Sequence, residues 1–210
     1  MAKTANLLVH GLDLEPGQRA ALLLPAHWQT AALAMGCWSA GLSVDADGDS
    51  GGADVVFAGA DRLDAARSGN AAEVVAVGLS RLGGPLPGVS PDVTDYGAEV
   101  PAYGDSFTPP LPVSPHSLAW PGLSTADLAG AARAAGRRWQ LAGGDRVLSV
   151  LGYDDLTGWL AGLLAPLAAG AGVVLCRNVD PDRLQARLLA ERVTATAGVG
   201  VPGVRQLDPG

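Results

Sequence analysis

The chain is short of several residue types, and each shortage excludes a class of function. Lys3 is its only lysine, against thirteen arginines, so chemistry that needs a lysine amine has almost nothing to use. Charged residues make up 17% of the chain and leave a net charge of -7, which argues against a nucleic-acid backbone as partner. Long apolar runs are missing too. The stretch Leu156–Cys176 is interrupted by Pro166 and by glycines, which predicts a buried helix and strand and no membrane span.

Cysteine and histidine are also sparse, with two and three residues. Cys37 and Cys176 both lie in apolar segments, which favours two buried, reduced thiols in a cytosolic protein. The N-terminus has no long apolar run behind a basic start, so no signal peptide is predicted. His27 and His116 could meet in space, but they lack a ligand spacing, and neither a metal nor another cofactor is predicted.

What the chain does contain is 48% apolar residues in 210, a globular composition long enough to bury a core. Short, wholly apolar runs alternate with helical segments, which predicts an α/β fold with mostly parallel sheets covered on both faces. The strands are predicted near Arg19–Leu24, Leu42–Val44, Val55–Ala58, Val74–Val77, Val147–Leu151, Val173–Leu175 and Thr194–Ala197.

The two halves of the chain share one pattern. "LEPGQRAALLLPAHWQTAALAMGCWSAG" and "LAGGDRVLSVLGYDDLTGWLAGLLAPLAAG" align so that Gly17 corresponds to Gly144 and Arg19 to Arg146. Two related units in one compact body are therefore expected. The predicted parts are a first α/β unit, 1–103, a proline-rich segment, 104–122, and a second α/β unit, 123–210.

These two segments, and "VDPDRLQARLLAERVT" after them, resemble the N-terminal part of the ANL adenylating superfamily. That family contains acyl-CoA synthetases, the adenylation domains of peptide synthetases, and luciferases. Its members use ATP and Mg²⁺ to adenylate a carboxylate and then pass the acyl group to a thiol. The resemblance spans nearly the whole chain, and its second half is the more specific.

The sequence departs from the family where the family binds phosphate. Between the two units the family has a Ser/Thr/Gly-rich loop with a lysine, whose backbone N–H groups approach phosphate oxygens. Here "GDSFTPPLPVSPHSLAWPG" occupies that place, without lysine and with five prolines that have no N–H group. This predicts that the phosphate cradle is replaced. Phe107 and Trp120 are expected to anchor the segment to the core, not to stack on adenine.

The remaining family motifs are also missing. Tyr96-Gly97-Ala98-Glu99 is reminiscent of the family's Tyr-Gly-x-Thr-Glu, but it precedes the phosphate-loop position and lacks the Thr. The family's ribose-binding Asp and its C-terminal domain with a lysine have no counterpart in the 210 residues. No catalytic residue is therefore predicted.

One candidate remnant pocket follows from the positions of polar residues after strands. Asp154 and Asp155, with Tyr153 beside them, come after a buried strand and begin a helix, where ligands bind in open α/β sheets. They stand where the family often has an aromatic–His pair. His27 begins a helix after an earlier strand. The alternative for all of them is helix capping.

Two further motifs are interpreted as ordinary turns. Asp45, Asp47 and Asp49 alternate as in a Ca²⁺ loop, but Ser50 and Val56 stand where that loop needs Gly and Glu. Gly198–Gly203 fits G-x-G-x-x-G, but too little chain follows it for a dinucleotide site.

The sequence thus favours a non-catalytic, truncated homologue of acyl-CoA synthetases that acts by binding or interaction in the cytoplasm. The alternative is an adenylate- or acyl-CoA-binding enzyme with residual ligase activity, completed by a partner chain; a gene fragment without function is a third. Self-association as a homodimer is also predicted, because apolar surface left uncovered in a shortened chain is most simply covered by a second copy. The sequence does not specify a small-molecule ligand.

Overall fold

The computed structural model describes residues 1–48 and 50–208. Its contacts divide the chain into two units, Met1–Ala126 and the residues from Asp127 onward. Each unit is built on its own parallel sheet, whose strands are joined by helices in some connections and by loops in others.

The first unit contains a five-stranded sheet. Every neighbouring pair in it is parallel, in the order β2-β1-β3-β4-β5. The strands are β1 (Arg19–Leu23), β2 (Ser43–Asp45), β3 (Val55–Ala58), β4 (Glu73–Ala76) and β5 (Thr94–Asp95). All four residues of β3 are apolar and fully buried, as a strand between parallel neighbours under two helical layers requires.

Four helices belong to the first unit. They are α1 (Ala2–Asn6), which continues as a π-helical turn over Leu7–Gly11, α2 (Trp28–Ser39), α3 (Leu63–Arg67) and α4 (Tyr96–Glu99), which continues as a 3₁₀ turn over Val100–Ala102. The N-terminal helix buries Leu7 and Leu8. The Thr4 hydroxyl and the Tyr96 hydroxyl, 2.8 Å apart, connect α1 with α4.

A short antiparallel hairpin ends the first unit. Its strands are β6 (Leu118–Trp120) and β7 (Leu123–Ser124), and they lead directly into α5 (Thr125–Arg138). The hairpin turns at Gly122, whose φ of 74° lies in the left-handed region that favours glycine.

The second unit contains a four-stranded parallel sheet in the order β11-β10-β8-β9. The strands are β8 (Arg146–Ser149), β9 (Gly172–Leu175), β10 (Ala195–Ala197) and β11 (Arg205–Leu207). Its helices are α6 (Leu156–Trp159), which continues through a π-helical turn at Leu160–Leu164 into α7 (Ala165–Ala168), and α8 (Pro181–Ala190). Asp180 caps α8 and Pro181 is its first residue, a pairing typical of helix starts.

The two sheets confirm the repeat seen in the sequence. The order β9-β8-β10-β11 is the order β2-β1-β3-β4 transferred to the second unit. The arginines that correspond in the repeat, Arg19 and Arg146, also make similar backbone hydrogen bonds. The Arg19 N–H donates to the Asp54 carboxylate at 2.7 Å, and the Arg146 N–H donates to the Thr194 hydroxyl at 3.0 Å. Asp54 and Thr194 each stand immediately before the third strand of their sheet.

The predicted fold class is confirmed, and each predicted strand is present within a residue or two of its expected bounds. Four short strands were not predicted, namely β5, β6, β7 and β11. In the described ranges 1–48 and 50–208, no helix is both long enough and apolar enough to cross a bilayer.

Candidate functional site

The carboxyl end of β8 is the point in the second sheet where the crossover connections diverge, because β9 lies on one side of β8 and β10 on the other. Ligands of open α/β sheets bind at such a point. Tyr153, Asp154 and Asp155 lie in the loop between β8 and α6, so three of the four predicted pocket residues come together there. The fourth, His27, belongs to the first unit.

Asp155 caps the following helix. Its Oδ1 accepts a hydrogen bond from the Gly158 N–H at 2.7 Å, and its side chain is exposed. Asp154 is also exposed, and its carboxylate folds back over Gly152. Asp155 is therefore a helix cap, the alternative to a pocket residue that the sequence left open. The Asp154 carboxylate is open to solvent.

Tyr153 is buried, with 1% of its surface exposed, so its side chain points into the unit and does not line an open surface. Its ring stacks on Trp159, with centroids 4.3 Å apart and planes 25° from parallel, and the Trp159 indole N–H donates to the Tyr153 carbonyl at 2.8 Å. Burial raises the pKa of the Tyr153 hydroxyl. That hydroxyl has no hydrogen-bond partner among the described residues, so it is a neutral group and not an acid or base near pH 7.

Ser149 and Gly162 complete the inner wall of this loop. A Cβ built on Gly162 would lie 2.8 Å from the Ser149 hydroxyl oxygen and 3.4 Å from the Tyr153 ring. Glycine at 162 therefore lets the helix approach the strand end closely. Sequence analysis missed this contact, because the glycine falls in a run of small apolar residues that reads as ordinary helix.

His27 occupies the equivalent place in the first unit, between β1 and α2. Its Nδ1 accepts a hydrogen bond from the Gln29 N–H at 3.3 Å, so it caps α2 as Asp155 caps α6. Its ring lies 5.7 Å from that of Trp28. Gln29 is 1% exposed, and its side-chain oxygen has no partner within the part of the chain that the structure describes. Nothing in the sequence indicated that the Gln29 side chain is buried.

The proline-rich segment is held at its start by the N-terminal helix. The Lys3 ammonium donates to the Tyr103 carbonyl, and the Asn6 amide donates to the carbonyls of Gly104 and Ser106 at 3.0 and 2.8 Å. The only lysine of the chain thus holds the start of the segment, through the carbonyls of Pro101 and Tyr103 and the Asp105 carboxylate.

The end of the segment is anchored by aromatic residues. Trp120, near its end, is 8% exposed, as its predicted anchoring role requires, whereas Phe107, near its start, is only half-buried. The Trp38 indole N–H donates to the Ala119 carbonyl at 2.7 Å and fastens the hairpin to α2.

The start of α5 is closed by the segment's own backbone. The Thr125 N–H donates to the Ser117 carbonyl at 2.8 Å, and the Ala126 N–H donates to the Pro115 carbonyl at 2.9 Å. The Thr125 hydroxyl also donates to the Ser117 carbonyl, at 3.2 Å. Free N–H groups at a helix start are what bind phosphate, and the first two of α5 are occupied.

The other sequence candidates behave as ordinary structure. Asp45 is buried beside Arg19, its carboxylate 3.7 Å from the guanidinium, while Asp49 lies outside the described residues. Gly198–Gly203 is a turn that leads into β11 and not into a helix, so the dinucleotide motif lacks its helix N-terminus. Cys37 and Cys176 are buried and free.

No metal-binding constellation is formed by the described side chains. In 1–48 and 50–208, no three His, Cys, Asp or Glu residues converge to hold an ion. His116 is exposed, and its backbone N–H donates to the Ser114 hydroxyl at 3.2 Å.

Solved structures of acyl-CoA and aryl-CoA ligases share this fold. An acyl-CoA synthetase from Brucella canis matches 94% of this chain with a TM-score of 0.74 at 19% identity, over 40% of its own length. A benzoate CoA ligase from Burkholderia xenovorans LB400 matches 94% with a TM-score of 0.72 at 17% identity, over 43% of its length. MatB from Rhodopseudomonas palustris matches 94% with a TM-score of 0.74 at 17% identity, over 42%.

The fold that the ANL resemblance implies is therefore confirmed. The chain spans from 40% to 55% of the length of such structures. It matches no protein-family model.

A sequence relative places the chain more narrowly. It is 41% identical over 201 residues to a TIGR03089 family protein of Mycobacterium tuberculosis (strain H37Rv), a match that covers 92% of this chain and 79% of that protein. The chain belongs to the TIGR03089 family.

Proposed function

We propose that this protein keeps the acyl-CoA synthetase fold but does not adenylate a carboxylate, and that it acts by binding a ligand or partner. The observation that carries the proposal is that the first two N–H groups of α5 are already occupied by carbonyls of the proline-rich segment. A phosphate bound there would have to displace the carbonyls of Pro115 and Ser117 from the N–H groups of Ala126 and Thr125. Each lost backbone hydrogen bond costs about 0.5–1.5 kcal/mol net, and more where a group is left unpaired.

The charges near the candidate site support the same proposal. The segment has no lysine, and the exposed carboxylates of Asp154 and Asp155 lie at the carboxyl end of β8. Like charges about 4 Å apart repel by about 1 kcal/mol in water, and by more near a protein surface. A triphosphate brought to the end of β8 would be repelled by these two carboxylates.

A second candidate function is favoured by the extent of the match. The chain spans 40–55% of the ligase structures it resembles, so a ligase site could be completed by a second, different chain. This candidate requires that the protein itself bind ATP or an acyl-CoA. We also propose a cytoplasmic location, supported by two buried, free cysteines.

Calorimetric titration separates the two candidates. ATP–Mg²⁺ and an acyl-CoA are titrated separately into the purified protein, with the Brucella canis acyl-CoA synthetase as the positive control. The proposed function predicts no ATP binding up to millimolar ligand and no ATP–pyrophosphate exchange. Micromolar ATP binding with exchange activity would disprove it, and micromolar acyl-CoA binding without ATP binding would identify acyl-CoA as a ligand of a non-adenylating protein.

A nuclear magnetic resonance titration gives the site-resolved version of this test. The amide resonances of Thr125 and Ala126 are expected to stay unchanged when ATP–Mg²⁺ is added. The matched variant Pro115→Gly leaves residue 115 able to supply its carbonyl but loosens the turn. If ATP shifts Thr125 and Ala126 in the native protein as strongly as in Pro115→Gly, the helix start is open and the argument is wrong.

A further inference from the structure

The four outer edges of the two parallel sheets differ in how they are protected. An unprotected edge strand exposes backbone N–H and C=O groups that can pair with another chain. β2 is contacted by β6, and its last residue, Asp45, is charged. β5 has two residues and ends in Asp95, and β11 begins with Arg205, whose guanidinium pairs with Asp145 at 2.7 Å.

β9 has none of these protections. Its residues, Gly172 to Leu175, are uncharged, contain no proline, and are half-buried throughout. It pairs with β8 in a continuous parallel register without a bulge. Charged residues, proline and bulges are the usual devices that keep an edge strand from pairing.

The outward groups of β9 can be identified from its ladder with β8. The Gly172 N–H donates to the Asp145 carbonyl and the Cys176 N–H to the Ser149 carbonyl. Because strand residues alternate in direction, Val174 also faces β8, and Val173 and Leu175 present their N–H and C=O groups away from it. Within the described residues, β9 is the last strand on this side of the sheet.

We propose that β9 pairs with β9 of a second copy of this chain, antiparallel and about a twofold axis. In this arrangement Val173 of one copy is opposite Leu175 of the other and exchanges two backbone hydrogen bonds with it, and the reverse pair forms two more. Val174 is then opposite its own symmetry mate at the axis. The sheet continues across the two copies with eight strands.

A second copy fits this edge better than an arbitrary strand. The pairing is isologous, so one sequence satisfies both sides, and it closes at two copies instead of growing into a filament. Every facing side chain is apolar, and no charged residue of β9 faces another. β9 is thus the proposed interface of the homodimer that the sequence predicts. This proposal does not depend on the proposed function.

The interface is small, which sets the expected affinity. Four hydrogen bonds and three side-chain pairs bury much less than the roughly 800 Å² per partner of a standard interface. We therefore expect a weak dimer, with a dissociation constant on the order of 0.1–1 mM. Because each copy carries a net charge of -7, association should strengthen as salt screens the repulsion, opposite to an interface held by ion pairs.

Sedimentation velocity at protein concentrations from 1 µM to 1 mM tests the proposal. Val173→Pro removes one outward N–H per copy while leaving the ladder to β8 intact, and should weaken dimerisation at least about tenfold. Val173→Thr keeps the N–H and the β-branched shape and should dimerise as the native chain does. Leu189→Ser removes a leucine that is 79% exposed on α8 and should have no effect. A strict monomer at 1 mM, or a dimer lost in Leu189→Ser but kept in Val173→Pro, overturns the proposal.

Disulfide trapping gives a test that does not depend on how well the proline variant folds. Directly opposite residues of a non-hydrogen-bonded antiparallel pair have Cα atoms about 4.5 Å apart, close enough for a disulfide. Val174→Cys should form a covalent dimer in glutathione redox buffer, whereas Gln206→Cys on β11, which is more exposed, should form far less. Equal trapping of both variants would mean random collision and would refute the β9 pairing.

Discussion

Thr196 gives the sharpest test of the energetics of this fold. It lies in β10 between β8 and β11, is 0% exposed, and its hydroxyl has no partner in the described part of the chain. A buried hydroxyl without a partner costs about 1–3 kcal/mol. Valine has the same shape and an equal or better strand propensity. We expect Thr196→Val to raise the free energy of unfolding by about 1 kcal/mol or more.

The chain offers a matched control for this substitution. Thr30, at the start of α2, is also 0% exposed, but its hydroxyl donates to the Pro25 carbonyl at 2.8 Å. Thr30→Val should therefore lower the free energy of unfolding by about 1 kcal/mol. Urea unfolding followed by circular dichroism measures both, and the expected signs are opposite. If Thr196→Val destabilises as much as Thr30→Val, the Thr196 hydroxyl is paired and the reasoning from unpaired polar groups fails.

Three further predictions concern the second unit. Partial burial would raise the pKa of Asp145, but hydrogen bonds from Arg205, Thr194 and a backbone N–H outweigh it and hold the pKa below its ordinary value. Asp145→Asn should thus lower the free energy of unfolding at pH 7 by about 1 kcal/mol. Urea melts at several pH values should show that the gap between variant and native protein shrinks as the pH falls below about 4. Gly162→Ala should destabilise by at least about 1 kcal/mol, because its Cβ would crowd the Ser149 hydroxyl at 2.8 Å; thermal melting checks it. Asp155→Ala should cost about 1 kcal/mol in thermal unfolding through the lost cap of α6, and Asp155→Ser should restore most of it.

The sequence predicted the strands whose burial makes them apolar throughout. β3 lies inside its sheet and all four of its residues are apolar and buried, while β8, also inside its sheet, has the buried apolar pair Val147 and Leu148 at its centre. β5 and β7 have two residues each, too few for any periodicity, and β11 is polar at two of its three positions. These strands are fixed by pairing with neighbours that are distant in sequence.

The candidate site was predicted in position but not in detail. Polar residues after β8 indicated the carboxyl end of the strand, but the burial of Tyr153 depends on Trp159 stacking against it from the next helix. The closed start of α5 was only partly foreseeable. Prolines showed that N–H groups were missing from the segment, whereas the carbonyls of Pro115 and Ser117 become acceptors through a fold of the backbone that no residue type specifies.

The single lysine has a practical consequence for labelling the protein. Lys3 is the only side chain that amine-reactive reagents can modify, besides the N-terminal amine. A mass increase assigned to residue 3 therefore reports on the Lys3 amine alone. The Lys3 amine lies 3.1 Å from the Pro101 carbonyl and 3.4 Å from the Asp105 carboxylate. Its acylation rate is therefore a probe of how often the start of the proline-rich segment detaches from the N-terminal helix.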